Sequence, residues 1–195
     1  RDQNTNTGSE SPRGNPMIDP IFSTAAALAL SVILASAASH KLRKPHWFRR
    51  QVNEYQLTPP LLTSAIALAL PVTELLAATG LLWETSRPYA ASLALALVAA
   101  YALAIGINLL RGRHDMDCGC SGPAMRQPLH PILLLRNGFL GVLALGALIP
   151  AFERTTSVHD NFIMIAAGTV AILLYTAADL WLVYRPLLLK LSGDK

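Results

Sequence analysis

The chain has 195 residues, of which 52% are hydrophobic and only 14% are charged, whereas an ordinary soluble domain is roughly 25% charged. This composition excludes an ordinary soluble globular protein and indicates a protein of the membrane. The net charge of +4 does not indicate a nucleic-acid partner, because the basic residues lie beside apolar runs, where they set topology or contact lipid headgroups.

The N-terminal segment, residues 1–19, is polar and is predicted to be disordered, and Met17 could be the natural start. Ile21 to Ser39 is uncharged and rich in Ala and Leu, and it approaches the ~20 residues that cross a bilayer. A cleaved signal peptide is the competing interpretation, since Ala35-Ser36-Ala37 resembles a cleavage site. No basic region directly precedes the run, which favours the span, and the charged residues 40–44 end it.

The segment that follows the first span is too polar to cross the membrane. Trp47 and Phe48 are interleaved with Arg49 and Arg50, a pattern that predicts a short amphipathic helix at the membrane interface. The pair Pro59-Pro60 ends this helix and opens the next one, because proline is tolerated in a first helical turn.

Four further apolar runs predict four more transmembrane helices. They are Leu61–Leu82, which is interrupted by Pro71, then Ala90–Leu110, Ile132–Ile149 and Phe162–Tyr184. Arg185-Pro186 is expected to end the last span before a short basic tail, residues 186–195. Five spans within residues 20–185 leave no room for a soluble domain. The predicted fold is all-α, an integral membrane helical bundle with about five transmembrane helices that pack through many small residues.

The polar loop between the third and fourth spans holds the two cysteines of the chain, Cys118 and Cys120. A disulfide between them would close a very small ring, so it should be strained and readily reduced. A purely structural disulfide would stabilise the fold little, because it closes so short a loop. Redox-active thiols are therefore the favoured interpretation. Metal binding is the alternative, because Cys-x-Cys with His114 or Met116 could hold a cuprous ion. Asp117 would raise the pKa of a neighbouring thiol, whereas the nearby arginines would lower it.

Ionisable groups inside a membrane are costly and are usually functional or paired. Five polar residues fall at the cysteine side of their spans, namely His40, Asn108, Arg136, Asn137 and Asp179. An Arg136–Asp179 ion pair beneath the cysteine loop is therefore predicted, with independent snorkelling of Arg136 to the interface as the alternative. Glu74 lies deeper, where it could be a proton site, a quinone contact or a protonated carboxyl bonded to a neighbouring helix.

Five spans place the first loop, the cysteine loop and the C-terminal tail on one side of the membrane. That side holds eleven Lys and Arg residues and the other side holds four. The positive-inside rule therefore places the cysteines toward the cytoplasm, whereas disulfide chemistry favours the oxidising outer side. The two arguments conflict.

Several short motifs of the chain resemble the MauE family of methylamine utilisation proteins, which belongs with the DoxX-like small membrane proteins. The motifs are His40-Lys41-Leu42 at the end of the first span, Glu74 in the second, Asn108-Leu109-Leu110-Arg111-Gly112-Arg113, Asp117-Cys118-Gly119-Cys120, and Arg136-Asn137. The resemblance covers about residues 20–184, and the two motifs that flank and contain the cysteines are its most specific part.

The resemblance implies a multi-pass protein of the bacterial inner (cytoplasmic) membrane that helps to mature methylamine dehydrogenase. The small subunit of that enzyme carries several disulfides and a tryptophan tryptophylquinone, and it matures in the periplasm, beside a thioredoxin-like partner of the MauD type. The cysteines would then face the periplasm, against the charge count. The resemblance assigns the redox role to Cys118 and Cys120, and it marks as family-typical His40, Lys41, Glu74, Arg136 and Asn137.

The sequence thus predicts an integral membrane thiol–disulfide redox protein, and if it is an enzyme it is a thiol–disulfide oxidoreductase. A single cysteine pair cannot run an internal relay, so its electrons must pass to a partner protein or to a membrane quinone. The alternatives are a non-catalytic membrane assembly factor and a small copper-handling or transport protein. The client stays open, because MauE-like proteins also occur where methylamine is not used.

Overall fold

The computed structural model describes residues 18–113, 116–118, 128–152 and 157–192, with side chains described as far as Tyr184. Within these residues it contains helices and no strands, so the all-α prediction is confirmed. The helices are α1 (Pro20–Arg43), α2 (Pro45–Glu54), α3 (Pro60–Gly80), α4 (Arg87–Leu110), α5 (Ile132–Leu148) and α6 (Val158–Ser192).

The long helices run alternately between two ends of the bundle. At one end, the backbone of Ile18 pairs with that of Pro150 and Phe152, so the start of α1 lies beside the α5–α6 connection. At the other end, the Tyr55 hydroxyl that follows α2 donates to the carbonyl of Cys118. We call these the far end and the cysteine end.

Four helices, α1, α3, α4 and α6, are long and apolar enough to cross a membrane. Helix α5 is also apolar but has only 17 residues, which is about 25 Å at the helical rise and lies at the lower limit for a span. The prediction of an integral membrane helical bundle is confirmed. The protein is multi-pass, with four helices of full spanning length and a fifth of minimal length.

Helix α1 lies at the centre of the bundle, where it packs against α3, α5 and α6. Its buried face is made largely of small residues, and Ala27, Ala29 and Ala38 are at most 1% exposed. Small side chains let helix backbones approach closely, which is how helices associate in lipid. Helix α1 is continuous through Ala35–Ala37 and is long and apolar enough to cross a membrane, as the interpretation as a span expects.

Helix α2 is amphipathic, as predicted. Phe48 and Gln51 are buried against the bundle while Arg49 and Arg50 are exposed. The helix begins at a proline, and Pro60 likewise opens α3. Helix α2 packs on α3 at the cysteine end, and it lies beside the cysteine segment.

Two expectations about proline are wrong. Helix α3 runs without a break through the buried Pro71, and α6 continues past Pro186 to Ser192. A proline removes one intrahelical hydrogen bond, but where water is scarce the surrounding backbone groups have no better partners than those of the helix.

The boundary of the N-terminal segment also differs from the sequence expectation. The predicted disorder of residues 1–17 lies outside the described residues. Ile18 and Asp19 belong to the fold, since Ile18 bridges to Ala151 and the Asp19 carboxylate accepts a hydrogen bond of 2.9 Å from the backbone of Ile21. Asp19 thus caps the first turn of α1.

Helices α3 and α4 approach each other closely at the turn that joins them at the far end. A Cβ atom added to Gly80 would lie 2.9 Å from the Cβ of Ala90, and the Ser86 hydroxyl closes the turn by donating to the Gly80 carbonyl over 2.7 Å. Glycine at position 80 therefore sets the separation of α3 and α4.

We expect Gly80→Ala to lower the stability of the bundle by about 1–3 kcal/mol, because the added methyl group forces the two helices apart. Thermal unfolding of the purified protein in detergent measures the loss. Gly106→Ala in α4 is the control, since a Cβ there meets nothing within 4 Å, and it should leave stability unchanged or slightly raised. Equal midpoints for the two variants would contradict the prediction.

Candidate functional site

Cys118 is buried at the cysteine end, with 6% of its surface exposed. The segment that carries it is held by a hydrogen bond of 3.0 Å from the Leu129 backbone to the Met116 carbonyl and by the Tyr55 hydroxyl, which lies 3.1 Å from the Cys118 carbonyl. The side chain packs in an apolar cluster that includes Ile105 and Leu133. The sulfur therefore has a defined position between α4 and α5.

Arg136 lies directly against this sulfur. Its Nη2 atom is 3.6 Å from the Cys118 Sγ, and its Nη1 atom forms an ion pair with the carboxylate of Asp179 in α6. The predicted Arg136–Asp179 pair is confirmed. The alternative prediction, that Arg136 snorkels to the interface, is wrong, because the residue is only 6% exposed. A guanidinium beside a sulfur favours the thiolate, the nucleophilic form.

The two asparagines of the predicted polar cluster have local structural roles. Asn108 donates to the Tyr55 carbonyl over 3.3 Å and accepts from Arg113 over 3.4 Å, so it joins the end of α4 to the end of α2. Asn137 donates to the Leu133 carbonyl of its own helix over 3.1 Å. Asp117 is buried beside Cys118 and its backbone bridges to Pro128.

A second buried ion pair lies deeper in the bundle. Lys41 of α1 pairs with Glu74 of α3, and the two side chains are 2% and 1% exposed. The Tyr101 hydroxyl of α4 donates to the same Glu74 oxygen over 2.6 Å and lies 3.1 Å from the Lys41 ammonium. The ammonium also sits 4.6 Å from the centroid of the Tyr101 ring and 5.1 Å from that of Phe48. Three helices thus converge on one buried charge pair.

This pair corrects the interpretation of the charged run that ends the first span. Lys41 lies inside the bundle instead of at the interface, while the neighbouring His40 is exposed and does not join the polar cluster. Successive residues point about 100° apart on a helix, so one of them faces Glu74 and the other faces outward. Glu74 is bonded to a neighbouring helix, as one option expects, but through an ion pair with Lys41 instead of a lone protonated carboxyl. The proton site and the quinone contact stay predictions.

The sequence reasoning missed three polar residues near the cysteine. Tyr101, Gln51 and Thr58 line one apolar cavity together with Cys118. Tyr101 could have been found, because a phenol within an apolar span needs a buried hydrogen-bond partner. Gln51 and Thr58 carry no such signal, since polar residues are ordinary in an interfacial helix and a turn.

The disulfide and metal predictions rest partly on residues outside the described ranges. Cys120 and His114 lie there, so the Cys-Gly-Cys ring stays a prediction. Among the described residues, no group of three or more His, Cys, Asp or Glu side chains could hold a metal ion.

Comparison with known proteins identifies the family. The family model described as methylamine utilisation protein MauE matches residues 19–150. This chain belongs to the MauE family. The family match runs from α1 to the end of α5 and includes Lys41, Glu74, Cys118 and Arg136, whereas Asp179 lies beyond it.

Curated MauE relatives agree with this assignment. The methylamine utilization protein MauE of Paracoccus denitrificans is 35% identical over 170 residues, which cover 84% of this chain and 89% of the relative. Those of Paracoccus versutus and Methylorubrum extorquens are 37% and 36% identical, and each match covers 83% of this chain and 88% of the relative. No solved structure matches this MauE-family chain.

We expect the Lys41–Glu74 pair to show strong coupling in a double-mutant cycle. Lys41→Met or Glu74→Gln alone should destabilise the protein by about 3–5 kcal/mol, because each leaves a buried group without its partner. The combined variant should lose less than the sum of the two single losses. Thermal unfolding in detergent gives the three values.

Arg43→Met is the matched control for that cycle, since Arg43 is exposed two residues further along the same helix. It should change stability by less than about 0.5 kcal/mol. Additive losses in the double variant would mean that the two charges do not stabilise each other.

Proposed function

We propose that this MauE-family protein is a membrane thiol–disulfide redox protein of the methylamine utilisation system. The observation that carries the proposal is the placement of the Cys118 sulfur, which is buried and lies 3.6 Å from a guanidinium that is itself oriented by Asp179. A structural thiol needs no such neighbour, whereas a nucleophilic thiol benefits from one. Cys120 supplies the second thiol of the pair.

The chemistry is thiol–disulfide exchange. A thiolate of the partner attacks one sulfur of the Cys118–Cys120 disulfide, which forms a mixed disulfide and releases the other sulfur as a thiolate. The second partner thiolate then attacks the mixed disulfide. The partner leaves oxidised, with a new disulfide, and this chain is left with two reduced cysteines. The strain of the small ring favours this direction, because a strained disulfide is more oxidising.

The partner we propose is a thioredoxin-like protein of the MauD type, and the final client is the small subunit of methylamine dehydrogenase in the periplasm. The family name of the relatives supports the link to methylamine utilisation. The inner bacterial membrane is the proposed location, because a multi-pass helical protein that serves a periplasmic client resides there.

The cysteine end would then face the periplasm. The count of basic residues opposes this orientation, but some of the counted residues have positions that do not depend on which side of the membrane they face. Lys41 is neutralised by Glu74 inside the bundle, and Arg49 and Arg50 lie on the polar face of α2, where they can meet lipid headgroups on either side of a membrane.

In cells that contain the methylamine utilisation system, one of the variants Cys118→Ser and Cys120→Ser should accumulate a mixed disulfide with the thioredoxin-like protein. The reason is that the remaining cysteine can be joined to the partner but nothing resolves the adduct. Non-reducing gels followed by identification of the adduct provide the measurement. We expect both variants to lose most of the maturation of methylamine dehydrogenase.

The double variant Cys118→Ser/Cys120→Ser is the control and should form no adduct. Absence of any adduct, with maturation intact in the double variant, would refute the redox function and favour an assembly factor that holds its partner without chemistry. If the purified protein binds copper at a fixed ratio of metal to protein, and if Cys118→Ser loses that copper, the result would instead favour metal handling.

Orientation can be tested with two glutamates that lie at opposite ends of the bundle. Glu54 ends α2 at the cysteine end and Glu84 lies in the α3–α4 turn at the far end, and both are exposed. In the background without native cysteines, Glu54→Cys should react with a membrane-impermeant maleimide in intact spheroplasts, and Glu84→Cys should react only after permeabilisation. The reverse pattern would place Cys118 on the cytoplasmic side and would contradict the proposal that the client is periplasmic.

A further inference from the structure

The burial of Cys118 decides whether another protein can reach its sulfur. Cys118 is 6% exposed, and the apolar side chains packed with it, Ile105, Leu129 and Leu133, are at most 2% exposed. Thiol–disulfide exchange requires that the attacking thiolate has access to the sulfur that it attacks. A thiolate carried by a folded protein cannot pass between these buried side chains, so Cys118 is a poor target for a protein partner.

The polar contact of Cys118 favours a different role for its sulfur, that of the leaving group. Nη2 of Arg136 donates to the Cys118 Sγ over 3.6 Å, and Arg136 is itself only 6% exposed. Exchange is faster when the departing sulfur forms a more stable thiolate, and an adjacent guanidinium stabilises a thiolate. The contact therefore contributes most when negative charge develops on the Cys118 sulfur.

Charged groups reach the neighbourhood of this sulfur from α5, α6 and the cysteine segment. Arg136 of α5 contacts the sulfur, Asp179 of α6 pairs with the guanidinium, and Asp117 precedes Cys118 in the chain. Asp179 accepts from Nη1, so Nη2 is the atom that meets the sulfur. The carboxylate reduces the net charge of the pair but fixes the direction of the guanidinium. Arg136 thus acts on the sulfur through an oriented, charge-assisted hydrogen bond.

We infer that Cys118 is the leaving sulfur of the exchange reaction, so that the partner protein becomes joined to Cys120. The inference rests on the proposed function. In the step, the partner thiolate attacks the sulfur of Cys120, an S–S bond forms between the two proteins, and the Cys118–Cys120 bond breaks. Its electron pair stays on Cys118 as a thiolate, which Arg136 stabilises. In the reverse direction, the same Cys118 thiolate attacks the mixed disulfide and releases the partner.

The position of a trapped adduct tests the assignment. The oxidised full-length chain in detergent is mixed with a thioredoxin whose second active-site cysteine is replaced by serine, so that the thioredoxin cannot resolve the adduct. The reaction is quenched with acid and the remaining thiol is alkylated. Mass spectrometry should find roughly tenfold more thioredoxin on Cys120 than on Cys118, because access and leaving-group stability favour the same sulfur. Fragment ions distinguish the two sites, since Gly119 separates them.

Equal amounts of adduct on the two cysteines, or an excess on Cys118, would overturn this inference and leave the redox function intact. In the cellular trapping experiment, the same assignment predicts that Cys118→Ser accumulates the adduct and that Cys120→Ser does not. The opposite pattern would also overturn it. The absence of any adduct in both experiments would refute the redox function, and the inference with it.

The role of Arg136 is tested by removing its ion pair as a unit. Arg136→Leu/Asp179→Leu leaves neither charge buried without its partner, so the midpoint of thermal unfolding should stay unchanged. The equilibrium constant for reduction of its disulfide by glutathione should be about tenfold lower, because the Cys118 thiolate loses its guanidinium. A purely structural role of Arg136 would leave this equilibrium constant unchanged. That result would contradict the stabilised leaving group.

Phe139→Leu is the matched control for the double variant. Phe139 lies one turn from Arg136 on α5 and lines the same groove between α5 and α6. The substitution alters the packing of these helices without changing the charge, so the equilibrium constant should equal that of the unaltered chain. A decrease as large as in the double variant would assign the effect to helix packing and overturn the role of Arg136.

Discussion

The buried ion pair between Lys41 and Glu74 is the interaction on which the rest of the structure depends. A charge in a membrane is costly unless it is paired, so the pair fixes how α1 and α3 are rotated toward each other. The Tyr101 hydroxyl of α4 donates a hydrogen bond to the Glu74 carboxylate, so α4 is also held at this ion pair. Because α1 is the central helix, orienting it also orients the surfaces against which α5 and α6 pack.

A second charge pair lies at the cysteine end of the bundle. Arg136 of α5 and Asp179 of α6 neutralise each other, and the guanidinium still reaches the sulfur of Cys118. Cys118 also forms part of the wall of an apolar cavity that is lined by residues of α2, α3 and α4. The thiol thus lies against a guanidinium that is held by a carboxylate, and it also borders an apolar cavity that reaches the bundle surface.

Much of this arrangement was predictable, and the parts that were not share one cause. Arg136 and Asp179 could be paired from the sequence, because both lie about one turn inside the same end of their spans. Lys41 could not be paired with Glu74 by that reasoning, since it lies in a charged run that resembles an interfacial boundary. The long stem of lysine lets its ammonium reach a partner deeper in the bundle.

The sequence by itself determined the number of apolar helices, the amphipathic α2 and the family. These follow from local composition and short motifs, since a span must satisfy its backbone within itself. Only the tertiary structure decided which polar groups meet. The contacts of Tyr101 with Glu74 and of Arg136 with Cys118 depend on the rotation and packing of helices that are distant along the chain, and local hydropathy does not encode that rotation.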